Sequence, residues 1–258
     1  MSSQRWKITI EYDGTGYHGW QRQEDGIPSI QQSIETAITK FCGQDITITG
    51  AGRTDAGVHA YGQIAHFDLD YGDRPLNGFD LAKAINAHLR PQPIAIISAE
   101  PVADDFHARF GAKHKTYHYR VVTRSPPPVR DTNHVWHMKY ELDVDAMRNG
   151  AKHLLGHHDF TSFRDSQCQA KSPMRTLDNI TITEIDYDAH GGKHILFELK
   201  AQSFLHHQCR NIVGTLVDVG KQKINPDDVK TILDAKDRTK AGMTAPASGL
   251  SMFKINYQ

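Results

Sequence analysis

Trp6-Lys7-Ile8-Thr9-Ile10-Glu11-Tyr12 alternates bulky apolar with polar side chains, the period-two pattern of a strand with one buried face. Outward from it, Gly14, Gly16 and Gly19 break the chain. Ser29 with Gln32 three residues on forms a capping box. Behind it Ile30, Ile34, Ala37, Ile38 and Phe41 recur at helical spacing until Gly43, which predicts a helix with a glycine stop. Residues 46–50 and 62–69 read as strands flanking a glycine-rich segment. Leu81, Ala84, Ile85, His88 and Leu89 predict a second helix, stopped by Pro91, and Ile94 to Ala99 a further strand. Strand, helix, strand, strand, helix, strand is the split βαβ arrangement of a ferredoxin-like unit, with two helices on one face of an antiparallel sheet.

A second half is expected from residue 106, giving domains 1–105 and 106–258. Tyr117, Tyr119 and Val121 alternate in a strand, and Ser125-Pro126-Pro127-Pro128 reads as a stiff loop. A helix is expected near 143–155 and strands near 176–187 and 193–204. An amphipathic helix follows from about 206, with Ile212, Val213, Leu216 and Val217 on its apolar side, then a short helix at 226–235 and a last strand from Gly249 to Tyr257. The fold class is α+β. The halves share a rhythm but no repeated sequence.

The 258 residues carry 30 Lys+Arg against 30 Asp+Glu, so the net charge is zero. Bulk charge therefore cannot hold nucleic acid, and only a local cationic surface would do so. Three scattered cysteines give neither a disulfide framework nor Cys-x-x-Cys metal spacing, which fits a reducing compartment. The polar N-terminus runs straight into a strand pattern, and no run approaches the roughly 20 apolar residues of a membrane span. The expectation is a soluble, cytoplasmic protein.

Three segments can carry chemistry. In Gly52-Arg53-Thr54-Asp55-Ala56-Gly57-Val58-His59-Ala60, glycines relax the backbone around one carboxylate and one guanidinium, which lets a ligand approach. By itself the segment is more simply a turn. From Phe106 to Arg130 the chain holds Arg109, Lys113, Lys115, Arg120, Arg124 and Arg130 without one acidic residue, interleaved with Phe110, Tyr117 and Tyr119. Cations among aromatics suit a phosphate backbone and a stacked base, although a solvated face over core tyrosines has the same composition. Arg210, near the start of the amphipathic helix, is able to pair bidentately with a carboxylate elsewhere and keep it ionised. Surface arginines on helices are common, however. His153 and His157, four apart, with His158 and the pair His206-His207, raise a metal site. His-Glu-x-x-His is missing, and the expectation is no metal.

Taken together, the motifs resemble the bacterial tRNA pseudouridine synthase I family. They run in order from Glu11-Tyr12-Asp13-Gly14-Thr15-Gly16-Tyr17-His18-Gly19-Trp20-Gln21-Arg22-Gln23 through the Asp55 segment and Lys115-Thr116-Tyr117-His118-Tyr119. Asp159-Phe160-Thr161-Ser162-Phe163-Arg164, Lys171-Ser172-Pro173, the Arg210 helix and Ala245-Pro246-Ala247-Ser248-Gly249-Leu250 complete the series. The resemblance implies two ferredoxin-like halves with mainly antiparallel sheets joined around a basic central cleft. It also implies a homodimer that converts uridine to pseudouridine at positions 38, 39 and 40 of the tRNA anticodon stem-loop, without cofactor or metal. By resemblance Asp55 is the catalytic carboxylate and Arg53 occupies the place of the flipped base. Tyr117 packs on that base, Arg210 holds Asp55 ionised, and Leu250 forms an apolar wall. Arg109, Lys113 and Arg120 are expected on phosphates. The competing readings are a non-catalytic RNA-binding protein and a metal-dependent hydrolase built on the histidines.

Overall fold

The computed structural model describes residues 3–24, 26–72 and 76–258. The chain divides into two compact units, one of residues 1–113 with 252–258 and one of residues 114–251. The fold is α+β, and the strands pair mostly antiparallel.

The first unit is built on β1 (Gln4–Tyr12), whose alternation is borne out: Trp6, Ile8, Ile10 and Tyr12 are buried. It lies between β3 (His59–Leu69) and β4 (Ile94–Val102), antiparallel to both. The two-residue β2 (Thr49–Gly50) pairs with β3, and β10 (Leu250–Asn256) lies along β3 as well. Helices α1 (Ile30–Cys42) and α2 (Gly78–Leu89) pack against each other, with α2 along β4. Ser29 accepts from the Gln32 amide, and Gly43 closes α1 at φ 74°, the left-handed conformation glycine adopts freely. Asn86 of α2 donates to the Ile96 carbonyl and accepts from the Ile96 amide at 2.9 and 2.7 Å. It thereby satisfies a stretch of β4 at the bulge where the register on β1 slips.

The strand expected over 46–50 shrinks to two residues for a local reason. The Ile48 amide donates to the Glu35 carboxylate at 3.1 Å and its carbonyl accepts from Gln31 at 3.3 Å. Both backbone groups are thus taken by α1 side chains before a strand ladder can use them.

In the second unit β5 (His114–Thr123) pairs antiparallel with β9 (Lys193–Ala201), β9 with β8 (Met174–Asp186), and β8 with β7 (Gly156–Asp159). The short β6 (Trp136–Met138) runs parallel to β5. Helices α3 (Val144–Lys152), α4 (Gln208–Gly220) and α5 (Asp228–Ala235) complete the unit. The sequence pattern missed β6 and β7, and it read α4 as amphipathic. Instead every residue of α4 except Arg210 and Asp218 is buried. Among the described residues no helix is long and apolar enough to cross a membrane, and Cys42, Cys168 and Cys209 are unbridged.

Candidate active site

The Asp55 loop enters from β2 and leaves into β3. Its backbone is held from several sides by the stretch that follows β1. The Thr54 carbonyl accepts from the Trp20 amide at 3.0 Å, and the Tyr17 carbonyl accepts from Gly57 N at 3.2 Å. The Asp55 carbonyl closes a tight turn onto Val58 N at 3.1 Å. Underneath, the buried hydroxyls of Thr54 and Tyr12 lie 2.8 Å apart, and Gln63 donates to the Gly52 carbonyl at 2.8 Å. Burial pushes the Tyr12 phenol well above its usual range, with the bonds to Thr54 and Gln63 opposing, so Tyr12 stays a neutral hydroxyl.

Two glycines make this approach possible. A β-carbon on Gly14 would lie 2.1 Å from the Val58 carbonyl oxygen, and one on Gly19 would lie 2.5 Å from that of Thr54. Gly19 also sits at φ +88°. Read from sequence as simple chain breaks, these glycines are instead where one strand of backbone lies directly on the loop. The consequence is a fixed platform, with Arg53 exposed and Asp55 half-buried on it. A plain surface turn has no need of so many tethers.

In the second unit Tyr117 lies on β5, buried, with its ring edge-on to Phe204 at 5.2 Å. Arg210 sits in the first turn of α4, where its Nε donates to the Ala245 carbonyl at 2.7 Å and its own carbonyl accepts from Ala245 N at 3.2 Å. Leu250 is buried at the start of β10.

The segment that carries Ala245 is stitched to α4 by residues that sequence reasoning passed over. Arg238 donates to the Gly242 carbonyl, the Asn211 side-chain oxygen and the Thr244 hydroxyl at 2.9–3.0 Å. Thr244 donates in turn to Asn211 at 2.7 Å. Tyr119 donates to the Pro246 carbonyl at 2.8 Å, and burial raises its phenol pKa while the Arg210 charge opposes that shift. Nothing in a single sequence marks Arg238, because its acceptors are mostly backbone and side-chain oxygens brought together by folding.

Of the expected phosphate contacts, Arg109 and Lys113 are exposed in the first unit. Arg120, in the second, is partly engaged: its Nε donates to His194 at 3.3 Å and its Nη2 lies 3.6 Å from Asp131. Arg124 is bound by Asp188 at 2.6 Å and by the carbonyls of Pro126 and Pro127. The acid-free run thus meets acids from elsewhere in the chain.

Three of the histidines raised as metal candidates have separate partners. His153 faces Asp227 at 3.3 Å, His157 the Thr176 hydroxyl at 3.0 Å and His158 the Leu155 carbonyl at 2.7 Å. Among the described residues no group of three potential ligands includes His153, His157 or His158. His207 pairs with Asp165 at 2.7 Å. Burial acts to raise the Asp165 carboxyl pKa, but the Gln167 amide and His207 outweigh it and hold the pKa below the usual range.

A family profile described as tRNA pseudouridine synthase matches residues 8–111 and 151–258. Asp55, Arg53, Arg109, Arg210 and Leu250 fall inside that match, whereas Lys113, Tyr117 and Arg120 fall in the stretch between its parts. The chain is 49% identical over 253 residues to the tRNA pseudouridine synthase A of Paramagnetospirillum magneticum, covering 98% of this chain and 95% of that one. It is 48% identical to the corresponding protein of Wolbachia pipientis, covering 98% and 100%. With that of Rhodospirillum rubrum the identity is 47%, covering 98% and 87%. A match over most of its length to the profile, and nearly end-to-end similarity to these relatives, place the chain in the tRNA pseudouridine synthase family.

Proposed function

We propose that this tRNA pseudouridine synthase acts on uridines 38, 39 and 40 of the anticodon stem-loop, with Asp55 as its single catalytic carboxylate. The chain is an isomerase that modifies uridines in tRNA; the positions and the residues that do the work are our reading. The observation that carries it is the tethering of the Asp55 loop. A carboxylate on a backbone clamped at Thr54, Gly57 and Val58 is held in one place by the fold itself.

The reaction breaks the N1–C1′ bond, turns the base and joins C1′ to C5. N1 gains a proton and C5 loses one, so atoms and electrons balance with no redox partner. One carboxylate suffices by either of two routes. As a nucleophile Asp55 attacks C1′ and holds the sugar as an ester while the base turns. As a general base it removes the 2′ proton to give a glycal. Glycoside hydrolysis by contrast uses two carboxyl groups and admits water, and here water must stay out. The target lies in or beside a stem, so it is flipped before C1′ is reached.

Arg53, exposed beside Asp55, fits the role of filling the vacated stack. Tyr117 against the flipped base, Arg210 as the partner that keeps Asp55 ionised and Leu250 as an apolar wall complete the proposed site. These three roles rest on the family motifs. Arg109, Lys113 and Arg120 are the proposed phosphate contacts. In the first unit the βαββαβ order and the β4-β1-β3-β2 pairing support the ferredoxin-like reading. Two such halves, 1–105 and 106–258, a basic central cleft, a homodimer and a cytoplasmic location belong to the same proposal.

The test is tritium release from tRNA transcripts carrying 5-tritiated uridine. The wild-type protein is expected to release tritium from positions 38 to 40, and Asp55→Asn to release none while binding tRNA about as tightly. Appreciable pseudouridine from purified Asp55→Asn would sink the assignment. Tight binding by the wild type with no release would favour the non-catalytic RNA-binding reading.

A further inference from the structure

Phe110 is 78% exposed. A single exposed aromatic is ordinary, but this one is held in a fixed attitude. The His107 Nδ1 accepts from the amides of both Arg109 and Phe110 at 3.2 Å, and the His107 carbonyl accepts from Gly111 N at 2.9 Å, so the turn 107–111 is wound around one imidazole. That same imidazole lies beneath the Phe110 ring, with centroids 4.4 Å apart and planes inclined by 35°. Below it comes His66, 4.9 Å from His107, buried on β3 and accepting from Ala108 N at 3.2 Å. Three rings therefore step outward from the core of the first unit, and the outermost ends in solvent.

One cation lies at that end and a second follows in the sequence. The Arg109 guanidinium carbon is 5.7 Å from the Phe110 centroid, and Lys113 is exposed three residues on. Among the described residues neither makes an ion pair with a carboxylate. The nearest acids in sequence, Asp104 and Asp105, act on Arg5, which also donates to the Asp104 carbonyl.

An exposed aromatic ring with a guanidinium over it, and an exposed lysine three residues on, matches a nucleobase and its phosphate. We propose that Phe110 is a stacking platform for one unpaired nucleotide of the tRNA, distinct from the uridine undergoing isomerisation, with Arg109 and Lys113 on the adjoining phosphates. This rests on the tRNA substrate proposed above.

The experiment measures binding of an unmodified tRNA transcript between 50 and 200 mM KCl for the wild type and Phe110→Ala, Phe110→Leu and Phe110→Trp. Tritium release by the wild type is followed on the same transcript. Loss of one stacked base is expected to weaken binding about tenfold in the Ala and Leu variants, with an unchanged salt slope. Leucine keeps the apolar bulk without a π face, so its behaviour separates stacking from packing. Tryptophan is expected to restore affinity, and Arg109→Ala to flatten the salt slope by about one. The inference is overturned if Phe110→Ala or Phe110→Leu binds within twofold of the wild type, or if Phe110→Trp is as weak as Phe110→Ala. Wild-type protein that releases no tritium would instead overturn the proposed function, leaving the platform to be judged by the affinities.

Discussion

Arg5 fastens three pieces of the first unit with one guanidinium. It forks onto Asp68, directly opposite on β3, at 2.7 and 2.8 Å, and donates to the carbonyls of Asp104 and Phe106. The Arg5 hydrogen bond holds the Asp68 carboxyl below its usual range, against a smaller effect of burial. A folded pKa below the unfolded one means that the contribution is complete above about pH 4 and fades as pH falls through the folded value. The Asp68 side chain is half exposed, so after screening the effect is less than about 1 kcal/mol. Asp68→Asn is therefore expected to lower the urea midpoint modestly at pH 6. The gap from the wild type should narrow as pH falls below about 4, because protonation progressively removes the same charge. A gap that widened in acid would assign the wrong sign to the pair.

At the level of elements, α4 and the segment after α5 form the other tightly determined piece. A β-carbon on Gly214 would lie 1.8 Å from the Met243 carbonyl oxygen, a backbone atom that cannot swing aside. Alanine adds about 1 kcal/mol of helix propensity, but overpacking of this severity costs about 1–3 kcal/mol or more, so the clash decides the sign. Gly214→Ala is expected to lower Tm by several degrees. It should also cut turnover more than tRNA affinity, since displacing 243–245 strains the Arg210–Ala245 bonds. Equal or higher thermal stability in a melting experiment would refute this.

Legibility in the sequence followed the same physics. β1 and α1 were plain because one face of each is buried, which writes a period into the residues. β7 was not, because Gly156-His157-His158-Asp159 has no apolar alternation and is a strand only through pairing with β8. The Asp55 loop was visible as composition, whereas its tethers to Tyr17 and Trp20 were not, since a backbone bond leaves no mark on side-chain type. Family motifs supplied the chemistry and composition pointed to Phe110, whereas Arg238 and Asn211 act through bonds that only the fold brings together.

For the whole molecule the governing fact is that the chain's end returns to the unit of its beginning. Residues 252–258 belong with 1–113, and they are more than a covering. Met252 and Ile255 are buried, and the Asn256 carbonyl accepts from Lys113 N at 2.8 Å. The Tyr257 hydroxyl donates to the Ala108 carbonyl at 2.7 Å, while its ring packs on Phe106 at 5.0 Å. Burying Met252 and Ile255 is worth about 1.5–3 kcal/mol each, and without them the part of β3 that β2 does not pair becomes an open edge. Ending the chain after Ser251 is therefore expected to loosen the first unit selectively. Hydrogen exchange followed by mass spectrometry should show protection falling in 59–69 and 106–113, with 177–186 and 193–201 close to wild type. Because the turn at 107–111 hangs on Tyr257, tRNA affinity should fall along with that protection. Uniform loss across both units would mean that they unfold as one cooperative body, and no loss would mean that the returning strand does not hold the first unit together.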